Sequence, residues 1–443
     1  MADPALVRAL SFYVPAAVVV ATVLAVRPDR RRGGAALLAG LWNATALLAV
    51  NVVAVRAGWW RFDSVGGELA GVPVDALLGW ALLWGALPAL LPERVPTTAV
   101  VAALVWVDLV AMPAGAPILV LGDAWLAGEA LAVAVALVPG LVLARLTVSR
   151  RALPVRAAMQ VVLFTALIFV GLAYVAVFAN GGEWPDLEAG VAFQVTVLLA
   201  APALAAVREL ARRGGGTPFP FDPPDRLVTT GPYAYVANPM QLSCTLLLVA
   251  WGGLLRTWGL VAMAVVSASF AAGIAGWHET LELERRHGRA WSEYRRRVPV
   301  WRPRWRPWGG GTDPAVLYVA PGCDPCEGLA RWLGARDPVR LDIRAATDAP
   351  TPVVRLTYIG PDGDQTAGVA AFARAVEHLN LAWAWLAWVL LLPGLARFVQ
   401  LVIDAMGGGP LATPIGGCPR NGSPPPEAEV AGSLDGALRS DAM

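Results

Sequence analysis

Along most of this chain the apolar residues fall in blocks of roughly 17–25, about the length a helix needs to cross a hydrocarbon core. Backbone groups in lipid must bond within their own segment, so each block is predicted to be helical. Nine such spans can be laid out, at about 5–26, 34–55, 74–91, 97–113, 123–145, 155–179, 188–207, 239–255 and 257–277. After residue 313 the pattern changes. Short apolar runs alternate with turn residues and helical stretches, as in a small α/β domain. The predicted fold class is an all-α polytopic membrane protein with about nine transmembrane helices and a small C-terminal α/β domain.

Charge placement orients the spans. Of 443 residues, 57% are hydrophobic and only 15% charged, against about a quarter charged in soluble domains. No lysine occurs, so every fixed basic side chain is arginine, as high-GC bacterial genomes favour. Arginines cluster after the first span ("RPDRRR"), the fifth ("RLTVSRRALPVR"), the seventh ("RELARRGGG") and the ninth ("ERRHGRAWSEYRRR"). With nine spans those four loops share one side, and positive loops stay cytoplasmic. The N-terminus is then outside and the C-terminal domain cytoplasmic, in a cell membrane. In the first span the positive charge follows the apolar run, which marks an anchor and not a cleaved signal. The net charge of +2 points to no partner.

Five regions follow. Residues 1–150 are an N-terminal five-helix membrane region with little chemistry. In it "GWWRFDSVGGELAGVP" has the aromatic content of an interfacial belt, and also resembles a loop of small-subunit lycopene cyclases. Asp108, Asp123 and Glu129 fall in or near its apolar segments, where carboxylates are functional candidates, although a helix start also suits an acid. Residues 151–307 hold the most informative motifs. Residues 308–313 are a glycine linker, 314–407 the small domain, and 408–443 a Gly-, Pro- and Ser-rich tail expected to be disordered.

The motifs begin before the eighth span, where "LVTTGPYAYVANPMQL" follows a proline-rich loop. After the ninth comes "HETLELERRHGRAWSEYRRRVP". Together they resemble the isoprenylcysteine carboxyl methyltransferase and phospholipid methyltransferase superfamily. That superfamily carries a Leu-Val-x-x-Gly-x-Tyr-x-x-x-Arg-His-Pro-x-Tyr pattern before a helical hairpin. After the hairpin it carries Glu-Glu-x-x-Leu-x-x-x-Phe-Gly-x-x-Tyr-x-x-Tyr-x-x-x-Val-Pro. Leu227, Val228, Gly231, Tyr233 and Pro239 match the first half. Glu279, Leu283, Gly288, Tyr294, Val298 and Pro299 match the second in register. Ala237 and Asn238 replace the Arg-His pair, Gln241 the Tyr, Thr280 the second Glu, His287 the Phe and Trp291 one aromatic.

The resemblance implies an S-adenosylmethionine pocket at the cytoplasmic face, made by the two halves. Its candidate residues here are Gly231, Tyr233, Tyr235, Asn238, Pro239, Gln241, Glu279, Trp291 and Tyr294. A membrane lipid or isoprenoid-like molecule would be the methyl acceptor. The chemistry is compatible with these residue types. Methyl transfer from a sulfonium depends mainly on positioning and water exclusion, and aromatic faces can stabilise the cationic donor. Each residue also has a plainer role: tyrosines anchor at interfaces, and Glu279 can pair with a nearby arginine. Nine arginines between 285 and 306 alternate with aromatics. Beside a span end, such a run suits anionic lipid head groups better than nucleic acid.

In the small domain, "AVLYVAPGCDPCEGLARWL" reads as strand, turn and helix, with Cys323 and Cys326 in a C-x-x-C at the turn. This is the placement of a thioredoxin-like redox motif, and a helix N-terminus favours a thiolate. The pair is read as redox-catalytic and expected to rest reduced in cytoplasm; no second pair completes a zinc site. The domain resembles the DCC thiol-disulfide oxidoreductase family, with Thr351-Pro352 where a thioredoxin would carry a cis-proline. "LAWAWLAWVLLL" is short for a span and is expected to dock on the membrane or the core. The sequence therefore reads as a membrane S-adenosylmethionine-dependent methyltransferase with an appended thiol-disulfide domain. The alternative is a membrane thiol-disulfide oxidoreductase that keeps the methyltransferase fold as scaffold.

Overall fold

A computed structural model describes residues 3–63, 66–178, 181, 188–310 and 313–408. Side chains at 175, 178, 274, 275, 278 and 279 fall outside that description. The tail expected to be disordered, 408–443, lies outside it too, apart from residue 408. The chain forms two compact units: Met1–Gly311 with Asn380–Leu392, and Thr312–Leu379 with the residues from Pro393 on.

All nine apolar blocks are helical, but they are not equivalent. Among the described residues six helices are long and apolar enough to cross a membrane: α1 Pro4–Val26, α2 Arg30–Ala57, α4 Thr97–Ala114, α5 Trp125–Ser149, α6 Leu153–Tyr174 and α7 Ala189–Gly214. The other three, α3 Val74–Leu90, α8 Pro239–Leu254 and α9 Trp258–Gly273, have 10–17 residues. At 1.5 Å per residue, a helix of about 16 residues is roughly 24 Å long, less than a hydrocarbon core of about 30 Å. The expectation of nine full-length spans therefore becomes six long helices and three short ones.

Local chemistry sets the boundaries. Asp3 and Asp29 cap α1 and α2, each carboxylate accepting a backbone N–H of the first turn. Gly58 ends α2 in the left-handed region. The chain then forms β1 Trp60–Phe62, the hairpin of β2 Glu68–Leu69 with β3 Val72–Pro73, and, after α4, β4 Leu119–Leu121. β1 and β4 pair antiparallel, with Trp60 opposite Leu121. Val50, Trp60, Trp84, Leu104 and Leu137 pack together in one buried cluster. α3 crosses its neighbours very closely. A Cβ on Gly79 would lie 1.8 Å from the carbonyl oxygen of Ser11, and one on Gly85 2.5 Å from that of Ala39.

The first unit continues with α10 Gly276–His287 and α11 Arg289–Arg297. In α11, Trp291 and Tyr294 are buried while Arg289, Arg296 and Arg297 are exposed, an i, i+3 apolar stripe on an otherwise basic helix.

The second unit carries β5 Ala315–Val319, α12 Asp324–Gly334, β6 Leu341–Ala345, β7 Thr357–Ile359, β8 Gln365–Ala367 and α13 Val369–Val376. Its sheet runs β6-β5-β7-β8, parallel between β5 and β6 and antiparallel elsewhere. No cis peptide bond occurs among the described residues, so Thr351-Pro352 is not the cis-proline the resemblance implied. The apolar segment expected to dock is α14 Leu381–Leu390, and it belongs to the first unit. Trp388 is buried with its ring edge-on to Tyr235 at 5.7 Å, and Trp385 Nε1 donates to the Leu198 carbonyl at 2.8 Å. α15 Leu395–Ile403 follows in the second unit.

Candidate functional site

The site starts with a turn that only glycine suits. Gly231 has φ +57°, and a Cβ there would meet Glu209 Cγ at 2.8 Å. A single 3₁₀ turn, Gly231–Ala234, then brings Tyr233 inward, and Tyr235 follows it into the core. Pro239 occupies the first turn of α8, where its missing N–H costs nothing.

The segment after α11 runs alongside this turn. The Ala237 amide donates to the Pro299 carbonyl at 2.9 Å and the Asn238 amide to Val300 at 3.4 Å. The Arg304 amide donates to Tyr235 at 2.9 Å and the Trp308 amide to Ala234 at 2.8 Å. Tyr294 Oη donates to the Tyr233 carbonyl at 2.8 Å. The Tyr294 ring lies 5.8 Å from Trp291 and 5.4 Å from Trp308. Ala237, Trp291, Tyr294 and Val298 form one buried cluster. Two stretches some sixty residues apart in the chain thus form a single unit of backbone bonds and stacked rings.

Of the predicted residues, Gly231, Tyr233, Tyr235, Asn238, Pro239, Gln241, Trp291 and Tyr294 all lie in or beside this junction. The side chain of Glu279 lies outside the described residues. Asn238 Nδ2 donates to Gln241 Oε1 at 3.0 Å. Both residues are half-buried, which leaves the Asn238 carbonyl as an acceptor and the Gln241 amide as a donor at the helix mouth. His287, in the position of the motif's Phe, has its pKa lowered by burial and then by Arg286, which favours a neutral ring.

Sequence reasoning missed two polar elements of this region. Glu209 is buried beneath Gly231, accepting from Thr230 Oγ1 at 2.9 Å and pairing with Arg213 at 3.0 Å. Asp222 is fully buried in the proline-rich loop, where it binds Arg156 and accepts from Thr217 Oγ1 at 3.2 Å. A signal for the second existed: Arg156 stands inside a predicted span, where a charge needs a partner.

In the second unit, Cys323 caps α12 and Cys326 lies in its first turn, with the Sγ atoms 2.9 Å apart and no disulfide between them. The Cys326 thiol is pushed up to about 11, by burial first and then by its contact with Cys323. At neutral pH it is therefore a proton-bearing thiol.

Of the carboxylates singled out in 1–150, Asp108 and Glu129 come together in the interior and Asp123 is exposed. No protein-family model, curated protein or solved structure matches this chain.

Proposed function

We propose that the first unit is a membrane methyltransferase of the isoprenylcysteine and phospholipid type. The observation that supports it most is the junction itself. The two halves of the motif meet through the Tyr294–Tyr233 and Ala237–Pro299 bonds, and three more backbone bonds join the first half to the segment that follows the second. A donor pocket made by two distant segments needs such a junction. S-adenosylmethionine would sit at the mouth of α8, its polar groups facing Asn238 and Gln241, with Tyr233 and Trp291 as the aromatic wall; the resemblance assigns Glu279 to the same donor. The acceptor, a lipid-embedded carboxylate, amine or thiol, attacks the methyl carbon in line. The C–S bond breaks and S-adenosylhomocysteine leaves; a carboxylate becomes the methyl ester directly, whereas an amine or thiol releases its proton to water. The exposed arginines of α11 would rest on anionic head groups.

Calorimetry on the purified protein tests this. The wild type is expected to bind the donor, and Glu279→Gln to weaken binding about ten- to a hundredfold, as loss of a charged hydrogen bond does. Glu282→Gln is the control, because its carboxylate pairs with Arg286 on the exposed surface at 2.7 Å. Equal effects of the two substitutions, or no donor binding by the wild type, overturn the reading.

With the three short helices crossing as well, the same reading puts the arginine-rich loops and the donor site in the cytoplasm, with the N-terminus outside. Single cysteines introduced between 212 and 230 are then expected to react with an impermeant maleimide only after cells are opened. Labelling in intact cells defeats this orientation.

The second reading concerns the other unit, as a cytoplasmic thiol-disulfide domain. The order β6-β5-β7-β8 with a C-x-x-C at the β5–α12 turn is the arrangement expected of a thioredoxin-like module. This reading stands whether or not the first unit binds a donor; if it does not, the first unit is the scaffold.

A further inference from the structure

Asp108 and Glu129 belong to a second site, far in sequence from the motif residues. They line a cavity of about 60 Å³ among the helices of residues 47–132, together with Asn51, Trp60, Trp80 and Trp84. Most of its polar groups are already engaged. Trp60 Nε1 donates to Asn51 Oδ1 at 3.2 Å, and Asn51 Nδ2 to the Ala70 carbonyl at 3.0 Å. Trp80 Nε1 donates to Asp108 Oδ1.

Two groups remain. Trp84 is 1% exposed and Glu129 5% exposed. Among the described residues no acceptor reaches Trp84 Nε1, and no N–H or hydroxyl reaches Glu129 Oε1. A buried donor or acceptor left in that state costs about 1–3 kcal/mol. A spare donor and a spare acceptor on one cavity call for a single group that both accepts and donates. A cation meets the wrong end of the indole N–H, and an anion meets two carboxyls. A hydroxyl satisfies both. The rest of the wall is Leu, Val, Phe, Ala and Met side chains carried on apolar helices and the adjoining strands, so the group attached to that hydroxyl is a hydrocarbon.

We propose that this cavity receives the hydroxyl end of a long-chain alcohol from the lipid phase. The hydroxyl donates to Glu129 Oε1 and accepts from Trp84 Nε1, while the alkyl chain runs out along the apolar wall. At this volume the cavity holds the hydroxyl and the first few carbons. The site is independent of the methyl-donor reading and uses none of its residues.

Native mass spectrometry of the full-length protein, with 1-dodecanol and dodecane as paired probes, tests it. Wild type is expected to bind the alcohol saturably and about tenfold or more tightly than the alkane, the worth of its hydrogen bonds. Trp84→Phe removes the spare donor and Glu129→Met the spare acceptor; each is expected to erase most of that preference. Asp123→Asn, at an exposed carboxylate, is expected to keep it. Thermal melting reports whether each variant is folded. Equal affinity of wild type for the two probes overturns the proposal whatever the variants do, and leaves buried water as the partner of both groups. So does a preference that survives both substitutions.

Discussion

Asp222→Ala is expected to destabilise the first unit by about 3–5 kcal/mol, the cost of leaving a buried charge without its partner. Arg156 and Asp222 are 1% and 0% exposed and in direct contact. The Asp222 carboxylate also takes the Thr217 hydroxyl and holds the proline-rich loop against α6. Without it the guanidinium keeps its charge in an apolar setting, because arginine does not deprotonate in proteins. The loop it pins leads directly to Gly231, so the junction should loosen as well. Arg286→Ala is the contrast. That side chain is 40% exposed and pairs with Glu282, itself 42% exposed, a kind of pair worth at most about 1 kcal/mol. Denaturant titration in detergent checks both. A loss for Asp222→Ala no larger than for Arg286→Ala would show that the buried pair does not hold the loop.

Cys323→Ser is expected to abolish disulfide exchange by the full-length protein, a loss of several orders of magnitude, since no other thiolate at the helix start can attack. Cys326→Ser is expected to leave the first attack intact and trap a mixed disulfide, because only the resolving thiol is missing. The assignment follows from geometry and protonation together. Cys323 caps α12, and Cys326 carries its proton until about pH 11. Alkylation of the reduced protein at neutral pH should thus modify Cys323 first. Reactivity of Cys326 should rise with pH, since its thiolate fraction grows towards that value. Peptide mapping after brief iodoacetamide treatment reads this directly. Equal labelling of both cysteines at pH 7, or exchange that survives Cys323→Ser, reverses the assignment.

Local patterns were readable in the sequence for a physical reason. Each apolar block had to be helical, because a backbone in lipid has nowhere else to bond. Each turn of the second unit carried its own chemistry, down to the C-x-x-C between a β-rich run and a helical one. The motif residues around 231 and 294 could be named because each half is contiguous. Lengths were less legible: the blocks at 74–91 and 239–255 match their helices to within a residue but are themselves short for a span, and a kink at Gly273 breaks the ninth. The segment 381–392 shows a similar limit. Its apolar character was plain, but its place beside Tyr235 and Leu198 depends on surfaces far away in the chain.

Partnership between distant residues was left to the tertiary structure. Nothing in the spacing pairs Arg156 with Asp222, sets Glu209 under Gly231, or brings Asp108 and Glu129 to one cavity with three tryptophans. A helix period says which residues share a face, but not which other helix meets that face. Close crossings settle that here, as at Gly79 against Ser11 and Gly85 against Ala39, where absent side chains let backbones approach. The sequence by itself determined the helices, the turn chemistry and the reactive side chains, since these depend on neighbours within a few residues. The buried pairs, the junction at Tyr294 and the two spare hydrogen-bonding groups at Trp84 and Glu129 were decided by packing, because each needs contacts that no local pattern encodes.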